Sequence, residues 1–515
     1  MVAPVSDSDD IFREWSQSWV ETGWDIIEEF FSNAYWRRVW VIQEVTVATK
    51  ATVLCGTCEI PWDDVATILT KWRKTPESVP LGKRSYLKAM HLVDFRDRFR
   101  VKREPISLLD AMRWSYQTEA TDPRDKIFAL LGICHDGATY VPVPNYKQPL
   151  EEIIADMSRA MMSYDRSLDL MCLKWSSLDE DGKFPSWTPN WANLWSGSLH
   201  TMTVHEADYE NWHANFSFDP ILEGSTDKYL KVEGRPCGLI TQLTSEMARP
   251  GPNGELILTP EIREPWISST SSLSRCFHQG VITVRNSIWK TLTMGLLHSK
   301  MNEEEAGLCF SKLWTPEGRG AVHNYALIEW IDRNAWFEYK PLTLRGWSQV
   351  QPLVPTPVLP KTPLPPFKGS NSFPSKDKQQ SQSNGSTSSE KGKDKSVRNL
   401  DIFIETIEKV LGSGMRLAVV EYWGAEELAM VPPGTRRNDE LWMIKGCSVP
   451  IVLRKLPKEH PVGQFSWKST YKVVGGVFSD VTQALDKELP AFHEIRMKAS
   501  QGDWNVEKIT KIYLC

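Results

Sequence analysis

The sequence has no apolar run long enough to cross a membrane. A spanning helix needs about 20 consecutive apolar residues, and the chain of 515 residues contains no stretch of that kind. Its first residues are acidic and lack the basic and then apolar layout of a secretory signal peptide. From these absences we expect a cytoplasmic protein without a membrane span.

The chain also lacks a strong excess of charge of either sign. Its formal net charge is -5 at pH 7, and its isoelectric point is near 6.1. Proteins that bind nucleic acid through phosphate contacts usually carry a basic excess on the binding domain. We therefore predict no nucleic-acid partner, and the sequence leaves the oligomeric state open.

Cysteine is scarce, with nine residues in the whole chain. The cysteines are odd in number and scattered, which does not fit a disulfide framework. Cys55 and Cys58 alone have the spacing of a CxxC pair. A zinc site needs two further ligands at comparable spacing, and His91 is a lone histidine on a predicted helix. We predict no metal site. The favoured interpretation is a strand that ends at Cys55, a turn at Gly56 and a buried thiol, and a metal or redox pair is the alternative.

Signatures of common enzyme chemistry are missing as well. The sequence contains no glycine-rich nucleotide loop, no hydrolase triad and no zinc-binding constellation. These motifs are the usual sequence marks of bound nucleotides, acyl transfer and metal catalysis. We therefore predict no bound cofactor.

What the chain does have is an aromatic segment at residues 35–44, in which Trp36, Val39 and Trp40 recur at helical spacing. This spacing predicts one amphipathic helix with a buried side. Glu44 lies one turn beyond Trp40 on that side, so its carboxylate is expected at the rim of the apolar surface. A carboxylate in this position is a candidate catalytic group.

Apolar periodicity predicts helices along much of the remaining chain. They cover residues 9–31, 63–74, 83–100, 106–117, 150–164, 281–298 and 326–336. In the helix at 150–164, Met157 and Met161 share a side, and a methionine stripe of this kind is expected to belong to the core. Most of the 23 tryptophans are likewise expected to pack in cores rather than to stack on a ligand.

The block 122–125 has clear local chemistry. Asp122 is expected to cap a helix whose first residue is Pro123, and Asp125 adds negative charge near the positive end of the helix dipole. Gly132 is expected to stop this helix. The favoured role of the block is structural, and the alternative is that Arg124 pairs with a carboxylate of the core or with a ligand.

A basic cluster precedes this block. It consists of Arg96, Arg98, Arg100, Lys102 and Arg103. A solvated helix end and loop is favoured for the cluster over a phosphate-binding patch, because runs of charge are usually solvated.

The last part of the chain changes character twice. Residues 351–397 are rich first in Pro and then in Ser, Lys, Gln and Gly, and they cannot bury enough apolar area to offset their chain entropy. We predict a disordered insert there. Strands are predicted at 229–234, 237–243, 415–423, 441–444, 449–455 and 471–478. We expect them to pair across the insert in one small β-barrel.

Five short blocks follow one another in a fixed order. They read WRRVWVIQE at 36–44, LCG and IPWDD within 54–64, TDPRDKIFALLG at 121–132, FPSWTPNW at 184–191, and VPPGTR through VPIVLR at 431–454. Together they resemble the fungal heterokaryon-incompatibility (HET) domain family, and the resemblance covers most of the chain outside the insert. The motif positions are Trp36, Arg38, Trp40, Gln43, Glu44, Gly56, Trp62, Asp122, Pro123, Arg124, Asp125, Gly132, Pro185, Trp187, Pro189, Trp191, Gly434 and Pro450.

The resemblance implies a mixed or α+β fold. It would comprise a truncated TIR-like α/β remnant, a mainly helical middle and a small C-terminal β-barrel interrupted by the disordered insert. HET-family proteins usually begin with strands of the types YxALSYxWG and WIDAxCINQ, and neither precedes Trp36, so we expect the N-terminal part of the HET domain to be missing. The expected segments are a partial effector domain at 1–135, a helical and Trp/Pro-rich extension at 136–227, a strand pair with helices at 228–350, a Pro/Ser/Lys linker at 351–400, and a β-rich segment at 401–515 that pairs with 228–245.

The resemblance also implies a function in non-self recognition and programmed cell death signalling through protein contacts, with other incompatibility proteins as candidate partners. HET domains are thought to be related to TIR domains, some of which cleave NAD with a glutamate in a WxxxE helix. Trp40 and Glu44 have this spacing, and Arg37 and Arg38 are candidates to bind the pyrophosphate. The alternatives to signalling are therefore a NAD glycohydrolase-like enzyme with NAD as its substrate, or a decayed copy without function.

Overall fold

Residue contacts divide the chain into two units. The first comprises Met1–Pro236, Trp442–Gly476 and Met497–Cys515, and the second comprises Cys237–Leu441 and Val477–Arg496. This computed structural model describes residues 17–75, 79–80, 83, 85–115, 117–173, 184–189, 230–250, 256–257, 281–297, 299–340, 342–350, 387–422, 425–444, 446–447, 449–457, 470–478 and 510–514. The predictions for residues 9–16, for Trp191 and for the insert at 351–386 lie outside the described residues.

Helices dominate the N-terminal part of the first unit. They are α1 (Gln17–Ser32), α2 (Val39–Val47), α3 (Trp62–Lys74), α4 (Leu87–Arg96), α5 (Leu108–Trp114), α6 (Asp125–Phe128), α7 (Gly137–Tyr140) and α8 (Leu150–Asp165). Short 3-10 turns cover Ala34–Arg37, Leu131–Ile133 and Asp169–Leu173, and a π turn covers Asp97–Lys102. The helices predicted at 63–74 and 150–164 are confirmed, and the buried Met157 and Met161 confirm the core side of α8.

The prediction of a single helix through residues 36–44 is wrong, because an extended residue, Arg38, separates two helical segments. Trp36 belongs to the 3-10 turn, and Arg38 has an extended backbone with φ -71° and ψ 128°. This extended residue forms a parallel bridge to Glu119, in which the Val39 N–H donates to the Glu119 carbonyl at 3.0 Å. A partner eighty residues away in the sequence therefore sets where α2 begins.

A two-stranded hairpin follows α2. Its strands β1 (Thr52–Cys55) and β2 (Cys58–Pro61) are antiparallel, and Gly56 in the turn has φ 60°. The hairpin is anchored at its base, where the Trp62 N–H donates to the Ala51 carbonyl at 3.0 Å and the Trp62 ring is buried. Cys55 and Cys58 are both exposed, so the buried thiol predicted here is wrong.

The remaining strands come from distant parts of the chain. They are β3 (Leu230–Leu243), β4 (Arg249–Pro250), β5 (Leu256–Ile257), β6 (Glu338–Tyr339), β7 (Leu342–Thr343), β8 (Arg416–Tyr422), β9 (Ala425–Val431), β10 (Glu440–Ile444), β11 (Ile451–Lys455), β12 (Thr470–Gly476) and β13 (Thr510–Leu514). In the largest sheet they follow the order β10-β11-β12-β13-β3-β8-β9, and β3 also pairs with β10. A Cβ at Gly234 would lie 2.8 Å from the Met443 carbonyl oxygen, so the approach of β3 to β10 requires glycine.

The mixed α/β class predicted from the sequence is confirmed, but the predicted strands do not all belong to one small barrel, because β8 and β9 continue the sheet from the second half of β3. Strand β3 is long enough to pair with β13 through its first half, Leu230 to Gly234, and with β8 through its second half, Gly238 to Leu243. Strand β9 then continues the sheet beyond β8. The predicted sheet pairing between residues 228–245 and the C-terminal segment is therefore observed.

The second unit combines β8 and β9 with six described helices. These are α9 (Val281–Leu292), α10 (Glu303–Lys312), α11 (Pro316–Ala321), α12 (Tyr325–Arg333), α13 (Leu344–Gln349) and α14 (Thr387–Gly412). Its core contains fully buried Trp330 and Trp347, whose indole N–H groups donate to the Ser245 and Tyr339 carbonyls at 2.8 Å. No helix within the described part of the chain is both long enough and apolar enough to cross a membrane.

Helix α14 corrects the predicted end of the linker. The linker was expected to extend to residue 400, whereas the helix begins at Thr387. The composition of its first half is polar, but Leu400, Phe403 and Ile407 recur at helical spacing and are buried. The apolar second half of α14 thus packs in the core of the second unit. From there the helix continues toward its N-terminus through the polar sequence.

Candidate functional site

The predicted catalytic residue, Glu44, lies on the solvent-exposed side of α2. Trp40, one turn earlier, is half-buried, and Val47 is 41% exposed. The buried residues of α2 are instead Val39, Val41, Ile42, Val45 and Thr46. The predicted buried side is therefore confirmed at Trp36 and Val39, whereas Trp40 is only partly buried and Glu44 is exposed.

Glu44 shares this surface with Tyr35 and Arg38. Partial burial raises the pKa of the Tyr35 hydroxyl, the Glu44 carboxylate raises it further, and the Arg38 guanidinium lowers it. All three residues are exposed. We call Tyr35, Arg38 and Glu44 the α2 surface.

Arg37 has a different environment from its neighbour Arg38. Its side chain is half-buried, and its Nε lies 3.3 Å from the Glu119 Oε1. The backbones of the same two residues are also joined, because the Glu119 N–H donates to the Arg37 carbonyl at 2.5 Å. Of the two arginines predicted to bind a pyrophosphate, Arg37 is thus engaged by the fold, and Arg38 lies on the α2 surface.

Two titratable residues of the first unit, Lys126 and His91, interact with each other and have unusual pKa values. Lys126 on α6 donates to the Thr118 carbonyl, and burial lowers its pKa to about 8, with Glu119 acting in the opposite direction. The pKa of His91 on α4 is lowered to about 4, mainly by burial and in smaller part by the charge of Lys126. The His91 Nε2 is buried and has no hydrogen-bond partner among the described residues. At neutral pH this imidazole is therefore uncharged.

The unusual environment of these two residues is not visible in the sequence. Lys126 follows the block 122–125 as one charged residue among many, and His91 falls within an ordinary helical pattern. Their unusual pKa values come from burial, which depends on how α4 and α6 pack.

The block 122–125 has a structural role. The Arg124 guanidinium forms a bidentate pair with Asp122, with Nε–Oδ1 at 2.9 Å and Nη2–Oδ2 at 2.7 Å, and it also donates to the Tyr146 and Gln148 carbonyls. The Tyr146 hydroxyl donates in turn to Asp125 at 2.6 Å. Arg124 therefore joins this block to the loop before α8, which supports the favoured structural role over a contact with a ligand.

Two details of the predicted cap are wrong. Asp122 accepts a hydrogen bond from the Arg124 N–H at 3.0 Å, but α6 begins only at Asp125 rather than at Pro123. The helix ends at Phe128, and Gly132 lies in the following 3-10 turn. A Cβ at Gly132 would come within 2.5 Å of the Gln43 amide nitrogen, so the Gln43 side chain of α2 lies directly against this glycine.

The basic cluster is likewise used by the fold. The Arg96 guanidinium donates to the carbonyls of Val45 and Ala48 at 2.6 and 2.7 Å, and Arg100 donates to the Val47 carbonyl at 2.9 Å. These carbonyls at the C-terminal end of α2 have no partner within the helix. Two arginines therefore cap α2 and complement its dipole.

Other residues of the cluster also have partners. Arg98 lies 4.3 Å from the centre of the Trp114 ring and pairs with Glu104, and Lys102 pairs with Asp97 at 2.9 Å. These contacts occupy the charges that a phosphate would need. They disfavour a phosphate-binding patch, and the predicted solvated helix end is only partly right, because these side chains are paired within the fold.

The late motif positions are buried or lie in tight turns. Trp187 is completely buried, Pro185 and Pro189 are buried beside it, and the Ser186 hydroxyl accepts from the Val473 N–H at 2.8 Å. In the second unit, Gly434 occupies a turn with φ 79°. Pro450, also a motif position, is buried.

Potential metal ligands do not cluster within the described ranges, which contain no group of three or more His, Cys, Asp or Glu side chains that could hold an ion. The predicted site residues therefore divide into an exposed set on the α2 surface and a set that is fixed by internal contacts.

Comparisons of the chain with protein-family models, with curated proteins and with solved structures find no match.

Proposed function

We propose that this chain is a protein of the fungal heterokaryon-incompatibility family that acts in non-self recognition and programmed cell death signalling through protein contacts. The observation that carries the proposal is the mutual packing of the motif blocks. Gln43 of the first block meets Gly132 of the third, and the ring of Trp36 lies 6.4 Å from that of Trp62 in the second. Blocks that co-occur in a family for a structural reason should meet in this way.

A role through contacts is supported by the location of the charged motif residues. Some charged motif residues form ion pairs within the protein: Arg37 pairs with Glu119, and Arg124 pairs with Asp122. Those that face solvent are Arg38 and Glu44 on the α2 surface. Tyrosine and arginine are enriched where proteins bind each other. We propose that the α2 surface meets the partner.

Cleavage of NAD at Glu44 is the alternative, and the geometry supports it less. A carboxylate that stabilises a developing positive charge acts best in a site that is shielded from water. Glu44 is exposed instead, and the Arg37 side chain is directed to Glu119. The TIR-like relation remains part of the proposal, and it rests on the spacing of Trp40 and Glu44.

The proposal can be tested by inducible expression of the full chain in a filamentous fungus, with cell death measured by dye uptake. We expect the wild type to kill cells, and the double variant Tyr35→Ala/Arg38→Glu to kill at least about tenfold fewer cells at equal protein level. The loss of one interface anchor can cost more than about 1.4 kcal/mol, which weakens binding of the partner about tenfold.

A matched control is Tyr325→Ala/Arg345→Glu, which makes the same two changes at exposed residues of the second unit. It should kill as the wild type does. If the wild type is harmless although it is folded and abundant, the proposed function is contradicted. Killing by the double variant at the wild-type level would contradict the role of the α2 surface.

A further inference from the structure

The tip of the β1–β2 hairpin presents two exposed thiols opposite each other. Cys55 and Cys58 are direct partners in the antiparallel register, and only Gly56 and Thr57 separate them. Gly56 has φ 60° at the first central position of this turn, as a type II′ turn requires. The turn therefore fixes the two cysteines beside each other rather than leaving them on a variable loop.

This placement suits a covalent bond between the two sulfur atoms. Directly opposed residues of an antiparallel pair project from the same face of the hairpin. Their Cα atoms are about 4.5–5.5 Å apart in general, and disulfides form at Cα separations of about 4.4–6.8 Å. The backbone can thus accept a disulfide without a large movement.

A second pair of cysteines in the first unit offers a contrast. Cys172 and Cys447 are buried, and their thiols hydrogen bond to each other. The Cys447 thiol also contacts the Leu168 carbonyl at 3.8 Å. Burial raises the pKa of Cys447, and the bond to Cys447 together with burial raises that of Cys172. Because the thiolate is the reactive form, this inner pair should be inert in the folded protein.

We propose that Cys55 and Cys58 form a reversible redox site, which a low-molecular-weight disulfide such as oxidised glutathione converts to an intramolecular disulfide. This inference does not depend on the proposed function. Exposure gives the small disulfide access to both thiols, and the turn places the second thiol next to the first. The product would link β1 to β2 at the end remote from Trp62.

The reaction takes place in two exchanges. The thiolate of one cysteine attacks a sulfur of the small disulfide, whose S–S bond breaks, and a mixed disulfide forms as one small thiolate leaves. The other cysteine then attacks the protein sulfur of the mixed disulfide and expels the second small thiolate. Two electrons pass from the cysteine pair to the small disulfide. The two protons from Cys55 and Cys58 end on the two small thiols.

The test uses the purified full chain in glutathione buffers with an increasing oxidised fraction. After the thiols are blocked with N-ethylmaleimide, peptide mass spectrometry reports the state of each cysteine. We expect a Cys55–Cys58 disulfide that forms with a single midpoint and disappears when the buffer is made reducing again. Cys172 and Cys447 should be blocked only after the protein is unfolded.

Single variants distinguish a pair from two independent thiols. In Cys55→Ser or Cys58→Ser the resolving thiol is missing, so the remaining cysteine should hold at least about tenfold more glutathione than in the wild type. The control Cys134→Ser changes a cysteine outside the hairpin and should leave the midpoint unchanged. Independent glutathionylation of both cysteines in the wild type would overturn the proposal. So would bound zinc that shields both thiols, or a failure of either thiol to react.

Discussion

On one side of α2, Val39 and Ile42 are fully excluded from solvent, whereas on the other side Glu44 is exposed and Trp40 is half-buried. Both sides belong to the same motif block. The buried side contacts residues from far along the chain, and its helix is capped by Arg96. The exposed side carries charge and an aromatic hydroxyl group.

The difference teaches that one motif can combine two functions that a sequence alone does not separate. The buried side explains why an aliphatic helix is needed at this position, because it forms part of the core of the first unit. Glu44 is not needed for that packing, since its side chain faces solvent. Its side chain is therefore accessible to other molecules, in line with the role proposed above for the α2 surface.

The largest effect is expected on the buried side. Ile42→Ala removes a fully buried side chain and should lower the free energy of unfolding by about 2–5 kcal/mol, because it loses apolar burial and leaves a cavity. Denaturant titration followed by circular dichroism measures this. A loss below ~1 kcal/mol would show that α2 is not a central packing element.

The cap of α2 should matter less. Arg96→Met retains the apolar stem but leaves the Val45 and Ala48 carbonyls without their donor, and we expect a loss of about 1–2 kcal/mol. Arg100→Met removes a single exposed bond to Val47 and is the matched control, with an expected loss near 0.5 kcal/mol at most. Equal effects in the same titration would contradict the cap assigned to Arg96.

His91 should contribute to the acid side of the stability profile. Its pKa is about 4 in the folded chain and 6.5 as an ordinary histidine, so between these values the unfolded chain binds more protons. Stability should then fall as pH decreases from 6.5 to 4, by at most about 1.4 kcal/mol per pH unit from this residue. His91→Gln should flatten that decline in denaturant titrations at successive pH values. An unchanged slope would contradict the burial of a neutral imidazole.

The smallest effect on stability is expected on the exposed side. Glu44→Gln removes a solvent-facing charge and should change the free energy of unfolding by no more than about 0.5 kcal/mol. Thermal and denaturant unfolding of the same preparation measure it. A large loss would mean that Glu44 supports the fold, which would remove the contrast between the two sides of α2.

Much of the fold could be predicted where the signal is local. Helix α3 was found within one residue because its apolar spacing is regular, with Asp63 and Asp64 in its first turn and Arg73 and Lys74 in its last. The strands β8, β10, β11 and β12 were found from short apolar runs. These features depend on residues that are neighbours in the sequence.

The site was harder to predict because its environment is set by distant residues. The break at Arg38 depends on Glu119, and the partners of Arg124 include carbonyls more than twenty residues away. The exposure of Cys55 depends on how the hairpin projects from the helices. A single sequence gives residue types and spacing, but these contacts are made only when the chain has folded.

The most direct test of the central claim, that Glu44 does not act as a catalytic carboxylate, is nicotinamide release from NAD by the purified full chain. Wild type and Glu44→Gln should be compared at equal concentration after both are shown to be folded. We predict the same background rate for both proteins. Release by the wild type that is abolished in Glu44→Gln would contradict the account and establish the α2 surface as an active site.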